Sequence, residues 1–196
     1  MKLIVIEGID GSGKTTLAQR IGKLLSSKFR VVVTQEPFTE DIKQLLEKYK
    51  WKDQVLLALL FSADRRIHVE WMRQQSADLV ISDRYFFSTI AYQSVGVDET
   101  WLEQLSSVFP RPDMTILLDV PVEVALKRLE SKRDTLDFAE KRESLEIVRQ
   151  NYLKLARKYD FKILDGTLSI DRLTSISIEL VQNLLPSSTS LASPGT

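Results

Sequence analysis

Gly8-Ile9-Asp10-Gly11-Ser12-Gly13-Lys14-Thr15 fits the pattern G-x-x-x-x-G-K-[ST], a set of residue types suited to holding phosphate. Glycines let backbone N–H groups approach an anion closely and take dihedrals that other residues resist. Lys14 is spaced to reach β- and γ-phosphates, and the Thr15 hydroxyl to ligate Mg²⁺. Asp10 needs a separate account, because a carboxylate beside a polyanion is repelled. Farther on, Val80-Ile81-Ser82-Asp83-Arg84 is an apolar run that ends in an acid and a guanidinium. It puts Asp83 near the metal and Arg84 at the carboxyl edge of a strand, where ligands bind in open α/β sheets. An Asp-Arg pair after a strand is also common on plain surfaces, so this element alone is less specific than the loop. Neither motif chooses among kinases, GTPases and motor ATPases, although the N-K-x-D element with which a GTPase would read its base does not occur.

Those residues must be positioned by elements that the apolar pattern shows. Strand-length runs recur at Leu3 to Ile6, Val31 to Thr34, Leu79 to Ser82, Met114 to Leu118 and Phe161 to Leu164, each followed by a helical pattern. Alternation of this kind predicts a parallel sheet of five strands covered on both faces. The first helix is expected from about Lys14, with Leu17, Ile21, Leu24, Leu25 and Lys28 on one stripe. Asp53 to Met72 reads as a longer helix whose first half, Val55 to Phe61, is apolar all round and so buried, in the core or half in a subunit interface. Pro110-Arg111-Pro112 ends the helix covering Asp98 to Val108 and launches the next strand. From Pro186 the chain turns Ser/Thr-rich, a composition expected to be a disordered tail over 186–196 after one domain at 1–185.

Bulk properties fit that picture. A chain of 196 residues has room for one domain with a large core. Lys+Arg and Asp+Glu balance at 27 each, which speaks against a strongly basic nucleic-acid binder. Zero cysteines exclude disulfides, thiolate metal sites and a cysteine nucleophile. No apolar run approaches the ~20 residues of a membrane span, and no signal peptide is expected, so the expectation is a cytoplasmic enzyme of small-molecule chemistry.

Taken together, Gly8 to Thr16, Thr34-Gln35-Glu36-Pro37, Leu60 to Arg65, and Asp83-Arg84-Tyr85-Phe86-Phe87-Ser88-Thr89-Ile90-Ala91-Tyr92-Gln93 resemble the thymidylate kinase family in order and spacing. Pro112 to Pro121, with Ala125 and Arg128 following, looks like the family's fourth strand and the helix into its lid, expected at about 128–140. The resemblance implies a P-loop nucleoside monophosphate kinase fold and transfer of the ATP γ-phosphoryl group to dTMP with Mg²⁺, by a homodimer. It assigns Gly8, Ile9, Asp10, Gly11, Ser12, Gly13, Lys14, Thr15 and Thr16 to ATP, with Arg128 on the adenine side. Thr15 and Asp83 fall to the metal, and Lys14, Arg84, Arg133 and Asp10 to catalysis. For dTMP it assigns Asp10 to the 3′-hydroxyl, Phe61 to stacking on thymine, Arg65 to a base oxygen and Arg84 to the phosphate. Tyr92 would crowd the sugar 2′ position, with Ser88 and Gln93 as neighbours of the base. His68 shares the side of Phe61 and Arg65 and is read as structural, since a lone histidine usually is.

Two departures stand out. The family's T-R-E-P-G-G reads Thr34-Gln35-Glu36-Pro37-Phe38-Thr39 here, so contacts to the acceptor phosphate on that side are reorganised and the role of Glu36 is open. Some members place an arginine in the loop where this chain has Gly11; Lys127 to Asp134 is therefore expected to supply one from the lid, with Arg133 reaching the transferred phosphate. A solvated charge run is the plain alternative. Rival functions are a deoxynucleoside kinase, which needs a base for a 5′-hydroxyl, and a regulatory ATPase without a small acceptor.

Overall fold

A computed structural model describes residues 1–49, 52–130 and 138–185, the side chains of 138–141 excepted. Lys2–Glu7 (β1), Val31–Gln35 (β2), Leu79–Asp83 (β3), Met114–Asp119 (β4) and Lys162–Asp165 (β5) form one sheet in the order β2-β3-β1-β4-β5. Every pairing is parallel. The two central strands, β1 and β3, are buried almost throughout, which is why they read as unbroken apolar runs.

Helices cover both faces. Alternate residues of the strands point to opposite sides, so Ile4, Ile6, Leu79, Ile81, Ile116 and Leu118 pack on Lys14–Leu25 (α1) and Ile170–Leu184 (α8). Leu3, Val5, Val80 and Leu117 face the other side. There they meet Gln54–Arg73 (α3), Phe86–Gln93 (α4), Glu99–Ser106 (α5), Val122–Glu130 (α6) and Phe138–Lys158 (α7). The remaining helix, Glu40–Lys48 (α2), lays Ile42 and Leu46 against Leu57 and Phe61 of α3.

The expected strands are all present, with ends shifted by a residue or so. One helix reading changes. Leu24 is 52% exposed, although it lies in line with Leu17. Gly22 explains this: a Cβ there would meet Val33 Cγ2 at 2.2 Å, so close approach to β2 turns the buried face toward Ala18, Gly22 and Leu25. On α3, capped by Asp53 accepting from the Leu56 N–H at 2.9 Å, Leu57 and Ala58 are buried while Val55 and Leu59 are about half exposed on the single chain. Ile67 extends that outer stripe. Among the described residues no helix is long and apolar enough to cross a membrane. The tail at 186–196 and the centre of the expected lid, Arg133 included, lie outside the described residues.

Candidate active site

β1 delivers the chain to the phosphate loop at the carboxyl edge of the sheet, and α1 leaves it from Lys14. Gly8, Gly11 and Gly13 all take positive φ, at 147°, 81° and 103°. At Gly11 space is as limiting as torsion, because a Cβ would meet the Ala125 carbonyl oxygen at 2.5 Å and Leu129 Cγ at 3.1 Å. An arginine there would have to displace α6. Lys14 is buried and its ammonium donates to the carbonyls of Gly8 and Ile9, both at 2.9 Å. Burial, reinforced by the Arg84 charge and opposed by Asp10, Asp83 and Glu7, pulls its pKa down to about 8. Arg128, from α6, donates to the Ser12 carbonyl at 3.1 Å and to the Gly166 carbonyl at 3.0 Å, bridging the loop to the turn after β5.

β3 brings Asp83 beside the loop, in register with Ile6 of β1 and Gln35 of β2. The Thr15 hydroxyl donates to Asp83 Oδ2. Asp83 Oδ1 and Ser12 Oγ are buried without a protein partner among the described residues. A hard divalent cation takes such oxygen ligands and completes its shell with phosphate and water, so Asp83 and Thr15 fit Mg²⁺.

The residue after Asp83 changes the chain's direction. Arg84 has φ 73°, a left-handed conformation costing a non-glycine residue roughly 1–2 kcal/mol. Its N–H donates to the Ile6 carbonyl at 3.0 Å, and its guanidinium donates to Asp10 and, at 3.1 Å, to Ser88 Oγ. It also lies 5.3 Å over the Tyr92 ring. Burial would depress the arginine, but Asp10, Tyr92, Tyr152 and Asp83 around it hold its pKa well above the ordinary value. The Tyr92 hydroxyl accepts the Asp10 N–H at 2.9 Å. Asp10 is thus turned from the loop interior toward Arg84, which resolves the paradox of a carboxylate in a phosphate loop.

A third group is fully buried between α3, α4 and the end of β2. Arg65 Nε and Nη2 donate to Glu36 Oε2 at 2.9 and 2.7 Å, and Nη2 donates to Thr89 Oγ1 at 3.1 Å. Its guanidinium sits 5.6 Å over Tyr85 and 5.3 Å over Phe109. His68 joins Glu36 Oε1 through Nδ1 at 3.1 Å and Thr34 Oγ1 through Nε2 at 2.8 Å. Phe38 stacks on His68 with centroids 4.5 Å apart, and Asp64 accepts the N–H groups of Phe38 and Thr39. Arg65 Nη1 and Gln93 Oε1 are buried with no partner among the described residues. Arg65 reaches α4 through Nη2 on Thr89, and Gln93 lies one turn farther along that helix.

Comparisons with known proteins point to one family. The family model described as Thymidylate kinase matches residues 6–176. The chain belongs to the thymidylate kinase family. Among relatives, the probable thymidylate kinase of Metallosphaera sedula is 74% identical over 196 residues, covering 100% of both chains. That of Saccharolobus solfataricus, probable thymidylate kinase 1, is 52% identical over 188 residues, 94% of this chain and 98% of its own. At greater distance, the probable thymidylate kinase of Methanocaldococcus jannaschii is 41% identical over 84% of this chain and 86% of its own. Membership makes the protein an ATP-dependent nucleoside monophosphate kinase.

The residues named from sequence fall into three groups. Gly8 to Thr16 and Asp83 form one, and Asp10, Arg84, Ser88 and Tyr92 a second that touches it through Asp10. Arg65 belongs to the third through its bond to Thr89, Gln93 lies one turn along α4 from Thr89 with its Nε2 donating to Gln54 Oε1 at 3.3 Å, and Phe61 stands one turn from Arg65, packed on the α2 cluster. Ser88 stands against Arg84, Glu7 and Tyr152. Sequence reasoning missed Glu7, Thr89 and Tyr152. A signal existed for Glu7 alone, a charge closing a run of strand residues that proves to be buried on both sides.

Proposed function

We propose that this thymidylate kinase transfers the ATP γ-phosphoryl group to dTMP, giving dTDP and ADP. The observation that carries the reading is the junction of Asp10, Arg84 and Tyr92 immediately beside the phosphate loop. It offers a guanidinium for an acceptor phosphate and a carboxylate for an acceptor hydroxyl, in contact with the element that holds the donor. A bidentate guanidinium suits a phosphate dianion. A nucleoside kinase would need a base for a neutral 5′-hydroxyl there instead, and a regulatory ATPase would need no such group.

The chain's own residues act by placing and by neutralising, which is most of what phosphoryl transfer asks of a protein. Lys14 exchanges its two carbonyl partners for β- and γ-phosphate oxygens, and the backbone amides of Gly11 to Thr15 cradle the rest. Arg84 holds the acceptor phosphate in line, and Asp10 accepts from the sugar 3′-hydroxyl. Mg²⁺, held by Thr15 and through Asp83, would supply charge neutralisation at the phosphates. Arg133, outside the described residues, is the arginine proposed to close over the transferred group, with Arg128 lying on the adenine side.

Base selection is proposed to rest on Arg65 Nη1 and Gln93 Oε1, with Phe61 as the stacking face. A buried donor and a buried acceptor match the O4 and N3–H edge of thymine or uracil and mismatch cytosine, whose edge is reversed. Leaving such groups unpaired disfavours the wrong base strongly. Tyr92 fills the sugar side and selects deoxyribose.

The outer stripe Val55, Leu59 and Ile67 on α3, beside a groove of about 450 Å³ lined by Arg66, Ile67, Glu70, Trp71 and Gln74, supports a homodimer. We read 1–185 as one kinase domain working in the cytoplasm. ADP formation with ATP and Mg²⁺ against dTMP, dUMP, UMP, dCMP, dGMP, AMP and thymidine tests the function. A preference for dTMP that falls on Tyr92→Ala supports it; consumption of thymidine alone would assign a nucleoside kinase.

A further inference from the structure

Glu7, the last residue of β1, has no part in the chemistry above and is wholly buried. Its Oε1 accepts the backbone N–H of Tyr85 at 2.9 Å and of Ser88 at 3.2 Å. Those are the N-cap and third-residue amides of α4, whose own N-cap residue provides no side-chain bond. The Ser88 N–H is shared with the Tyr85 carbonyl at 3.0 Å, whereas the Tyr85 N–H, at the helix start, is taken by a carboxylate from another element. Its Oε2 accepts from Ser88 Oγ at 2.7 Å and from the Tyr152 hydroxyl at 2.9 Å. Ser88 Oγ in turn accepts from Arg84 Nη1 at 3.1 Å.

The carboxylate therefore grips the chain on the helical side of Arg84, while the Ile6 carbonyl, one residue before Glu7 in β1, grips Arg84 itself. Between those anchors Arg84 is held in a left-handed backbone conformation that an arginine does not adopt unaided. We infer that Glu7 is the positioning residue of the acceptor site: it holds the Arg84 turn and, through Ser88, aims the guanidinium at the acceptor phosphate. Its burial raises its pKa, opposed by Ser88, Arg84, Tyr152 and Lys14. An apolar residue would suit the strand but remove the acceptor of the Tyr85 N–H and the acceptor shared by Ser88 Oγ and the Tyr152 hydroxyl.

The inference rests on the proposed role of Arg84, so both are measured together. Glu7→Gln keeps volume and an acceptor for the two amides but removes the charge and the second acceptor. Glu7→Asp keeps the charge and withdraws it by one methylene. Steady-state kinetics on whichever melts within a few degrees of the parent should show KM for dTMP raised about tenfold or more, the loss expected for a weakened charged contact. KM for ATP should stay within about twofold, since the four groups that donate to Glu7 belong to Tyr85, Ser88 and Tyr152 rather than to the phosphate loop. A merely damaged fold lowers the active fraction and moves neither constant. Arg84→Lys is run alongside. If it raises KM for dTMP and neither Glu7 variant does, the role of Glu7 is refuted while that of Arg84 stands. If Arg84→Lys leaves that KM unchanged, both fall. Equal increases in both KM values would also refute it, since Glu7 would then support the whole site.

Discussion

Replacing Arg65 with methionine separates the energy of the buried acceptor network from its chemistry. Arg65 and Glu36 have side chains only 1% and 3% exposed. The substitution removes both bonds to Glu36 Oε2 and the bond to Thr89, leaving the carboxylate with His68 as its remaining side-chain partner. Methionine refills most of the volume, so the cavity contribution is small. Removing one partner of a buried ion pair costs about 3–5 kcal/mol, most of it the penalty of the charge left behind. For a chain of this size each kcal/mol moves the melting midpoint by about 2–4 °C, giving a fall of roughly 6–20 °C. Calorimetric melting at neutral pH reads it directly. Adding Glu36→Gln removes the stranded charge and should recover at least half of the loss. A fall under about 3 °C, less than the ~1 kcal/mol of an ordinary substitution, would refute the claim that the pair is energetically buried. So would a double variant no more stable than the single.

Other outcomes follow from the same geometry. Gly11→Arg, the residue some family members carry, should raise KM for ATP about tenfold or more, because the left-handed torsion and the Ala125 carbonyl both oppose a side chain; unchanged kinetics would show that α6 yields freely. Tyr92→Ala should cut the preference for dUMP over UMP, as a ratio of kcat/KM, roughly tenfold, the worth of a lost steric contact. ATP binding should take up a proton at high pH: Lys14 has a pKa of about 8 in the free enzyme, a polyphosphate raises it, and so uptake grows as pH rises above that value. Calorimetry in two buffers of different ionisation enthalpy near pH 9 reads it, and zero uptake contradicts the coupling. Leu59→Asp, on the exposed stripe of α3, should halve the mass seen by light scattering with little effect on the single chain's fold.

The parts legible in sequence were those built from contiguous residues. The phosphate loop, the five strands and the Asp83-Arg84 turn each declare themselves within a few positions, because loop torsion and strand periodicity are local. Phe61 and Arg65 could be put on one face by helical spacing alone. What pairs with Arg65 could not: Glu36 is 29 residues away and meets it only when β2 and α3 pack. The same holds for the four donors around Glu7, which come from α4 and α7. The exposure of Leu24 and Val55 depends on where a glycine lets two elements approach and on what covers α3, neither of which an apolar pattern encodes.

The account stands most directly on where the γ-phosphorus goes. With γ-³²P-labelled ATP, Mg²⁺ and dTMP, the label should appear in dTDP and depend on dTMP being present. Label released as inorganic phosphate at the same rate with or without dTMP, or incorporated only when thymidine is supplied, would contradict it.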